Sequence, residues 1–132
     1  MKILVTSGAW QASLACIQSL GRAGYDTYLF DHDPKTAVAH SKYCRGLFIS
    51  PNDQEQSLYA QCLIDTLQKN RFDVLVPISD QCVFACAQNR DTILSLTNVV
   101  IPPLETVLLA ADKKKTYLYA LDHNIPIPKT YF

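Results

Sequence analysis

Four short clusters in this 132-residue sequence bring together groups that can hold a polar ligand. Ser7-Gly8-Ala9-Trp10, Asp31-His32-Asp33 and Ser79-Asp80 each follow an apolar run, and Asp112-Lys113-Lys114-Lys115 opens a segment of helical character. The first cluster offers backbone N–H groups at a helix start, which suits an anion. Gly8 is its only glycine, so the G-x-G-x-x-G pattern that lets a backbone approach a pyrophosphate is absent. Asp31 stands about twenty residues beyond that turn, where a ribose-binding acid would sit. The same position suits a turn-forming or capping acid, as does that of Asp33. Either Ser79 or Asp80 can cap the helix that follows it, with a role in a substrate cleft as the alternative. Three successive lysines at a helix N-terminus add positive charge where the backbone is already positive, which favours a bound anion. Lys113, beside the capping Asp112, is the candidate phosphate contact, acting as a point charge, whereas Lys114 and Lys115 read as solvated surface.

Other chemistries find little support. His32, His40 and His123 have no spacing that suggests a catalytic triad with a serine. Alternate residues leaving a strand point apart, so Asp31-His32-Asp33 is a poor metal site. Cys82 and Cys86 share a helix face with apolar neighbours and read as small buried residues rather than ligands. Trp10 reads as part of a helix-packed core, with a stacking surface for the ring or apolar part of a ligand as the alternative.

Twelve basic residues balance twelve acidic ones, which removes the basic footprint expected of a nucleic-acid or anionic-membrane binder. The N-terminal apolar run is too short for a signal-peptide core, and no stretch reaches transmembrane length. Five cysteines, an odd number without regular spacing, read as reduced thiols in a cytoplasmic protein.

The elements that must position these clusters alternate. Residues 2–6, 26–31, 46–50, 72–77 and 98–101 read as strands, the first and fourth as continuous apolar runs of the kind buried on both faces of a sheet. Helices are expected from Trp10, Leu14, Ile17 and Gly21 at helical spacing, after a Pro51-Asn52-Asp53 turn with Asp53 as cap and Gln56 completing a capping box, and from Ser79 or Asp80 to about Leu96. A short segment, 35–40, has some helical character. The rhythm predicts an α/β fold: a three-layer, Rossmann-like open sheet of about five mostly parallel strands with helices on both faces. Ligands of such sheets bind beyond the carboxyl ends of the strands, so the polar loops at Ser7 to Trp10, Asp31 and Ser79-Asp80 are expected to converge there. Pro102-Pro103 separates this domain, residues 1–103, from a helical connector, residues 104–132.

Asp112-Lys113 with Tyr117 four residues on, followed by Ile125-Pro126-Ile127-Pro128-Lys129-Thr130, resembles the junction leading into the ATP-grasp fold. Val5-Thr6-Ser7-Gly8-Ala9, Leu20-Gly21-Arg22-Ala23-Gly24-Tyr25, Ser41-Lys42-Tyr43 and Asp73 to Asp80 are similar to the preceding, pre-ATP-grasp domain of carbamoyl-phosphate-synthase-like carboxylate-amine ligases. The resemblance spans essentially the whole chain. It implies a parent enzyme that uses ATP and Mg²⁺ to activate a carboxylate as an acyl-phosphate for attack by an amine. It further implies that Lys113 contacts ATP phosphates and that Ser7, Gly8, Ala9, Trp10, Asp31, Ser79 and Asp80 face the cleft of a small-molecule substrate. Most of the nucleotide and Mg²⁺ site would then lie in a C-terminal ATP-grasp domain beyond Phe132, and this chain alone is expected not to catalyse the reaction. A stand-alone Rossmann-like module that binds a nucleotide or dinucleotide for regulation is the alternative.

Overall fold

Hydrophobic strands separated by amphipathic helices assemble here as a small parallel sheet, and the computed structural model describes it for residues 1–131. The chain divides into two compact units, Met1–Ile101 and Pro102–Phe132. The first contains β1 (Lys2–Thr6), α1 (Gln11–Arg22), β2 (Asp26–Asp31), β3 (Cys44–Ile49), α2 (Gln56–Asn70), β4 (Val74–Val76), α3 (Asp80–Gln88) and α4 (Arg90–Leu96). Its four strands run in the order β3-β2-β1-β4, and every neighbouring pair is parallel.

Pleating sends alternate residues to opposite faces. Ile3 and Val5 of β1 and Leu29 of β2 pack with Ile17 of α1 and with Val38 on one face. On the other face Phe30 meets the ring of Tyr59 of α2 edge-on, with centroids 5.3 Å apart. Helices therefore cover both faces, as the alternation of elements requires. Two backbone positions set the helix-to-strand joins. Gly24, at φ +88°, ends the α1 turn without a Cβ penalty. A Cβ on Gly21 would come within 2.5 Å of the Tyr43 Cβ, so only glycine lets α1 lie against the start of β3.

The structure corrects four sequence expectations. The segment 98–101 is not a fifth strand of the sheet: it touches β4 through a single bridge, Val74 to Asn98. Strand β4 is only three residues long, and the Pro102-Pro103 pair that follows offers no N–H donors with which to extend a ladder. The helix expected from Asp80 to Leu96 is broken at Asn89, whose side-chain amide turns back to Ala85 O at 2.9 Å and closes α3. Asp53 does not cap α2. Helix α2 begins at Gln56 after Glu55, which makes no side-chain cap bond, and Asn52 Oδ1 shapes the preceding turn by accepting Gln54 N–H at 2.9 Å. Residues 35–40 form successive turns rather than a helix, with Ala39 N–H to Thr36 O and Ser41 N–H to Val38 O both at 3.1 Å, and they press Val38 into the core.

The second unit holds α5 (Leu104–Ala111) and α6 (Lys113–Asp122), neither with a buried residue. Asp112 caps α6 by accepting Lys115 N–H at 3.1 Å. Asn124, at φ +56°, stops α6, and residues 125–131 continue without helix or strand.

Candidate functional site

In this strand order β1 is flanked by β2 on one side and β4 on the other, so the connections reverse direction at β1. The loops after β1 and β4 must then separate at the carboxyl edge, which is where parallel sheets place ligands. A cleft of about 210 Å³ opens there, lined in part by Ser7, Ala9, Trp10, Asp31, Ser50 and Asp53.

Ser7 is the residue on which the edge turns. Its φ of +62° is uncommon for a side chain other than glycine, asparagine or aspartate and costs on the order of 1 kcal/mol. The surroundings hold it there. Ser7 N–H donates to Phe30 O at 3.1 Å, and Ser13 Oγ of α1 reaches both Ser7 O at 2.6 Å and Thr6 O at 2.9 Å. The resulting turn aims the Ser7 hydroxyl across the reversal point, where it donates to Ser79 Oγ at 3.0 Å. Ser79 Oγ in turn donates to Asp53 Oδ2 at 3.0 Å and, as the N-cap of α3, accepts Cys82 N–H at 3.1 Å. Three loops are thus tied together by one chain of hydrogen bonds ending on a carboxylate.

Asp31 is buried at the end of β2 and spends both oxygens on backbone. Oδ2 accepts Gly8 N–H at 2.5 Å and Oδ1 accepts Asp33 N–H at 2.7 Å, while the His32 ring stands 3.5 Å away. The Gly8 N–H is therefore already engaged. Gly8 is tightly packed: a Cβ there would lie 2.8 Å from Thr36 Oγ1 and 2.9 Å from Leu29 Cδ2, so those side chains would have to shift. Both features belong to a self-contained turn rather than to a dinucleotide cradle.

The expected site residues divide accordingly. Ser7, Ala9, Trp10 and Asp31 line the cleft, and Gly8 and Ser79 support it through the bonds just described. Trp10 is not core: it occupies the N-cap position of α1 and is 57% exposed beside the cleft. Asp80 is exposed at the first position of α3, and the neighbouring Gln81 lines the cleft instead. Lys113 is exposed in the second unit at the first position of α6. No histidine is bonded to Ser7 or Ser79 among the described residues, so a serine triad is not assembled.

Sequence reasoning missed Asp53, Ser13 and Ser50. The Ser50 hydroxyl lies buried at the cleft with no hydrogen-bond partner among the described residues. A buried hydroxyl left unpaired is costly. Behind the cleft Tyr59 donates its hydroxyl to Cys82 Sγ at 3.2 Å. Burial, then the neighbouring Cys82, pushes the Tyr59 phenol far above its ordinary range. Its hydrogen bond to Cys82, then burial, does the same to the Cys86 thiol, while that bond lowers Cys82. Tyr59 and Cys86 therefore hold their protons behind the cleft.

The lining contains two carboxylates and one imidazole but no lysine or arginine. Such a cleft favours a neutral donor or a cation such as an ammonium group over an anion. Among the described residues no three His, Cys, Asp or Glu side chains form a group able to hold a metal ion.

No protein-family profile matches this chain, and no curated protein sequence matches it either. Solved structures do. The fold is similar to L-amino acid ligase from Bacillus licheniformis, with a TM-score of 0.73 at 12% identity over 96% of this chain and 31% of that one. It is similar to glycinamide-RNase-transformylase T from Mycobacterium tuberculosis, with a TM-score of 0.69 at 16% identity over 93% and 32%. N5-carboxyaminoimidazole ribonucleotide synthetase from Thermotoga maritima matches with a TM-score of 0.62 at 14% identity over 97% and 32%. The chain therefore shares its fold with a part of each of these proteins and spans about a third of their length.

Proposed function

We propose that this chain is the substrate-side domain of an ATP-dependent ligase, and that its carboxyl-edge cleft receives the amine that attacks an activated carboxylate. The observation that carries the reading is the acidic, cation-free cleft at the reversal point of a fold shared with such ligases. In this reading Asp53 holds the ammonium group, Ser50 Oγ supplies the unpaired hydrogen-bonding atom, and Trp10 covers the apolar part of the molecule. The Ser7–Ser79–Asp53 chain fixes the carboxylate, while Asp31 fixes the turn that carries Trp10.

ATP and Mg²⁺ belong to the remaining part of the enzyme. Bound there, ATP would supply the phosphoryl group that turns the carboxylate into an acyl-phosphate. The apolar side chains left open in the second unit, Leu108, Leu118, Leu121 and Ile125 among them, fit a surface that a following ATP-grasp domain covers. Lys113 would face the ATP phosphates from that junction. Reduced thiols and balanced charge suit a cytoplasmic enzyme.

The test is ADP release by the polypeptide of the complete gene, assayed with panels of carboxylates and amines. ADP formation should require one member of each panel, and Asp53→Asn should raise the KM for the amine by roughly tenfold or more while leaving the KM for ATP unchanged. Turnover of ATP by residues 1–132 alone would overturn the reading, as would amine affinity indifferent to Asp53.

A further inference from the structure

A second cleft, of about 320 Å³, lies where α1 ends and β2 and β3 begin, and its lining includes Tyr25, Lys42, Tyr43 and Arg45. This is the amino edge of the sheet, the end opposite the substrate cleft. We infer that it is a separate binding site for a small phosphorylated anion, held by Lys42 and Arg45 with donors from the two tyrosines.

Charge is the first ground. The two clefts are opposite in sign although the whole chain is neutral. At the amino edge Lys42, Arg45 and the adjacent Arg22 face one carboxylate, Asp26, whose Oδ1 lies 3.4 Å from Arg45 Nε. Neither Lys42 nor Arg22 has a carboxylate partner among the described residues. Two uncompensated positive charges around one concave surface focus the field on an anion.

Construction is the second ground. Tyr43 is held in place on every side. Thr27 Oγ1 donates to its carbonyl at 2.6 Å, the absence of a Cβ on Gly21 makes room for its ring, and the cations of Lys42 and Arg22 lie 5.1 and 5.9 Å from the ring centre. Cations held against an aromatic ring lose part of their conformational freedom before any ligand arrives, which lowers the cost of binding. Three carbonyls of the last α1 turn, which would repel an anion, are already paired: Ala23, Gly24 and Tyr25 donate to Ser19, Gly21 and Leu20 at 3.1 Å each.

The test uses inorganic pyrophosphate as the probe, titrated into the ¹⁵N-labelled 132-residue chain at low ionic strength. Saturable shifts are expected at the amides of Tyr25, Lys42, Tyr43 and Arg45 and not at Trp10, His32 or Asp53. Lys42→Gln and Arg45→Gln should each weaken binding ~5-fold, and raising ionic strength from about 0.01 M to about 0.15 M should weaken it further. Both side chains are exposed, so these variants should fold; an unchanged thermal midpoint would verify that. Linear, non-saturating shifts, or equal affinity in the double variant, would overturn the site. So would shifts centred on the acidic cleft. Because the readout is independent of ATP turnover, failure here leaves the ligase reading standing, and failure of that reading leaves this one.

Discussion

Asp31 shows how one side chain can look like a ligand and act as a staple. Its two oxygens draw the first turn and the loop after β2 together by accepting Gly8 N–H and Asp33 N–H. Hydrogen bonds to a charged acceptor are worth about 1.5–3 kcal/mol each, and removal leaves the Gly8 N–H unpaired. Asp31→Ala should therefore lower the unfolding free energy by about 3 kcal/mol in urea, whereas Asp33→Ala, which frees only the exposed Lys35 N–H, should cost less than about 1 kcal/mol. Equal losses in the two variants would remove Asp31 from its role as the staple of this edge. The residues that the sequence displays at strand ends, Ser7, Asp31 and Ser79, do meet at one rim, because the fold brings all such ends together. Asp53 was illegible. It lies 26 residues from Ser79, in a turn whose sequence reads as a helix cap, and only the return of α3 beside β1 turns its carboxylate toward that serine.

Among the elements, those whose signal is local were legible and those defined by a neighbour were not. Strands β1 and β2 occupy the residues that the sequence indicates. The fifth strand failed because a strand exists only with a partner, and β4 is too short to provide one. The contact between α2 and α3 is likewise tertiary, and it carries a pH signature. Burial and Cys82 raise the Tyr59 phenol in the folded chain far above the unfolded value of about 10, so the folded state keeps this proton where the unfolded state releases it. Its contribution is complete below about pH 10 and is lost as pH climbs beyond it. Tyr59→Phe should cost less than about 1 kcal/mol at neutral pH, through the lost bond to Cys82, and should lose less stability than the parent between about pH 9 and about pH 11. Denaturant titrations of both proteins across that range supply the measurement; parallel alkaline declines would mean that another group is responsible.

For the molecule as a whole, the distribution of burial sets the first unit apart from the second. Every fully buried hydrophobic side chain described lies at or before Ile101, and α5 and α6 contribute none. A helix pair without buried side chains gains little from the hydrophobic effect, and helices of eight and ten residues are too short to persist on propensity alone. The sequence cannot show that the helices after Pro102-Pro103 keep their apolar residues exposed, since amphipathic spacing looks the same whether or not a partner is present. A chain ending at Ile101 should therefore unfold cooperatively, within about 1 kcal/mol of the 132-residue chain and with a nearly equal denaturant slope, because that slope follows the surface exposed on unfolding. In the longer chain, backbone amides of α5 and α6 should exchange orders of magnitude faster than those of β1 and β2, since their opening does not require the core to open. Loss of cooperative unfolding on removal of residues 102–132, or strong protection of the α5 and α6 amides, would show that the sheet depends on this segment. If the segment is instead a docking surface for a following domain, protection should appear there only when that domain is present.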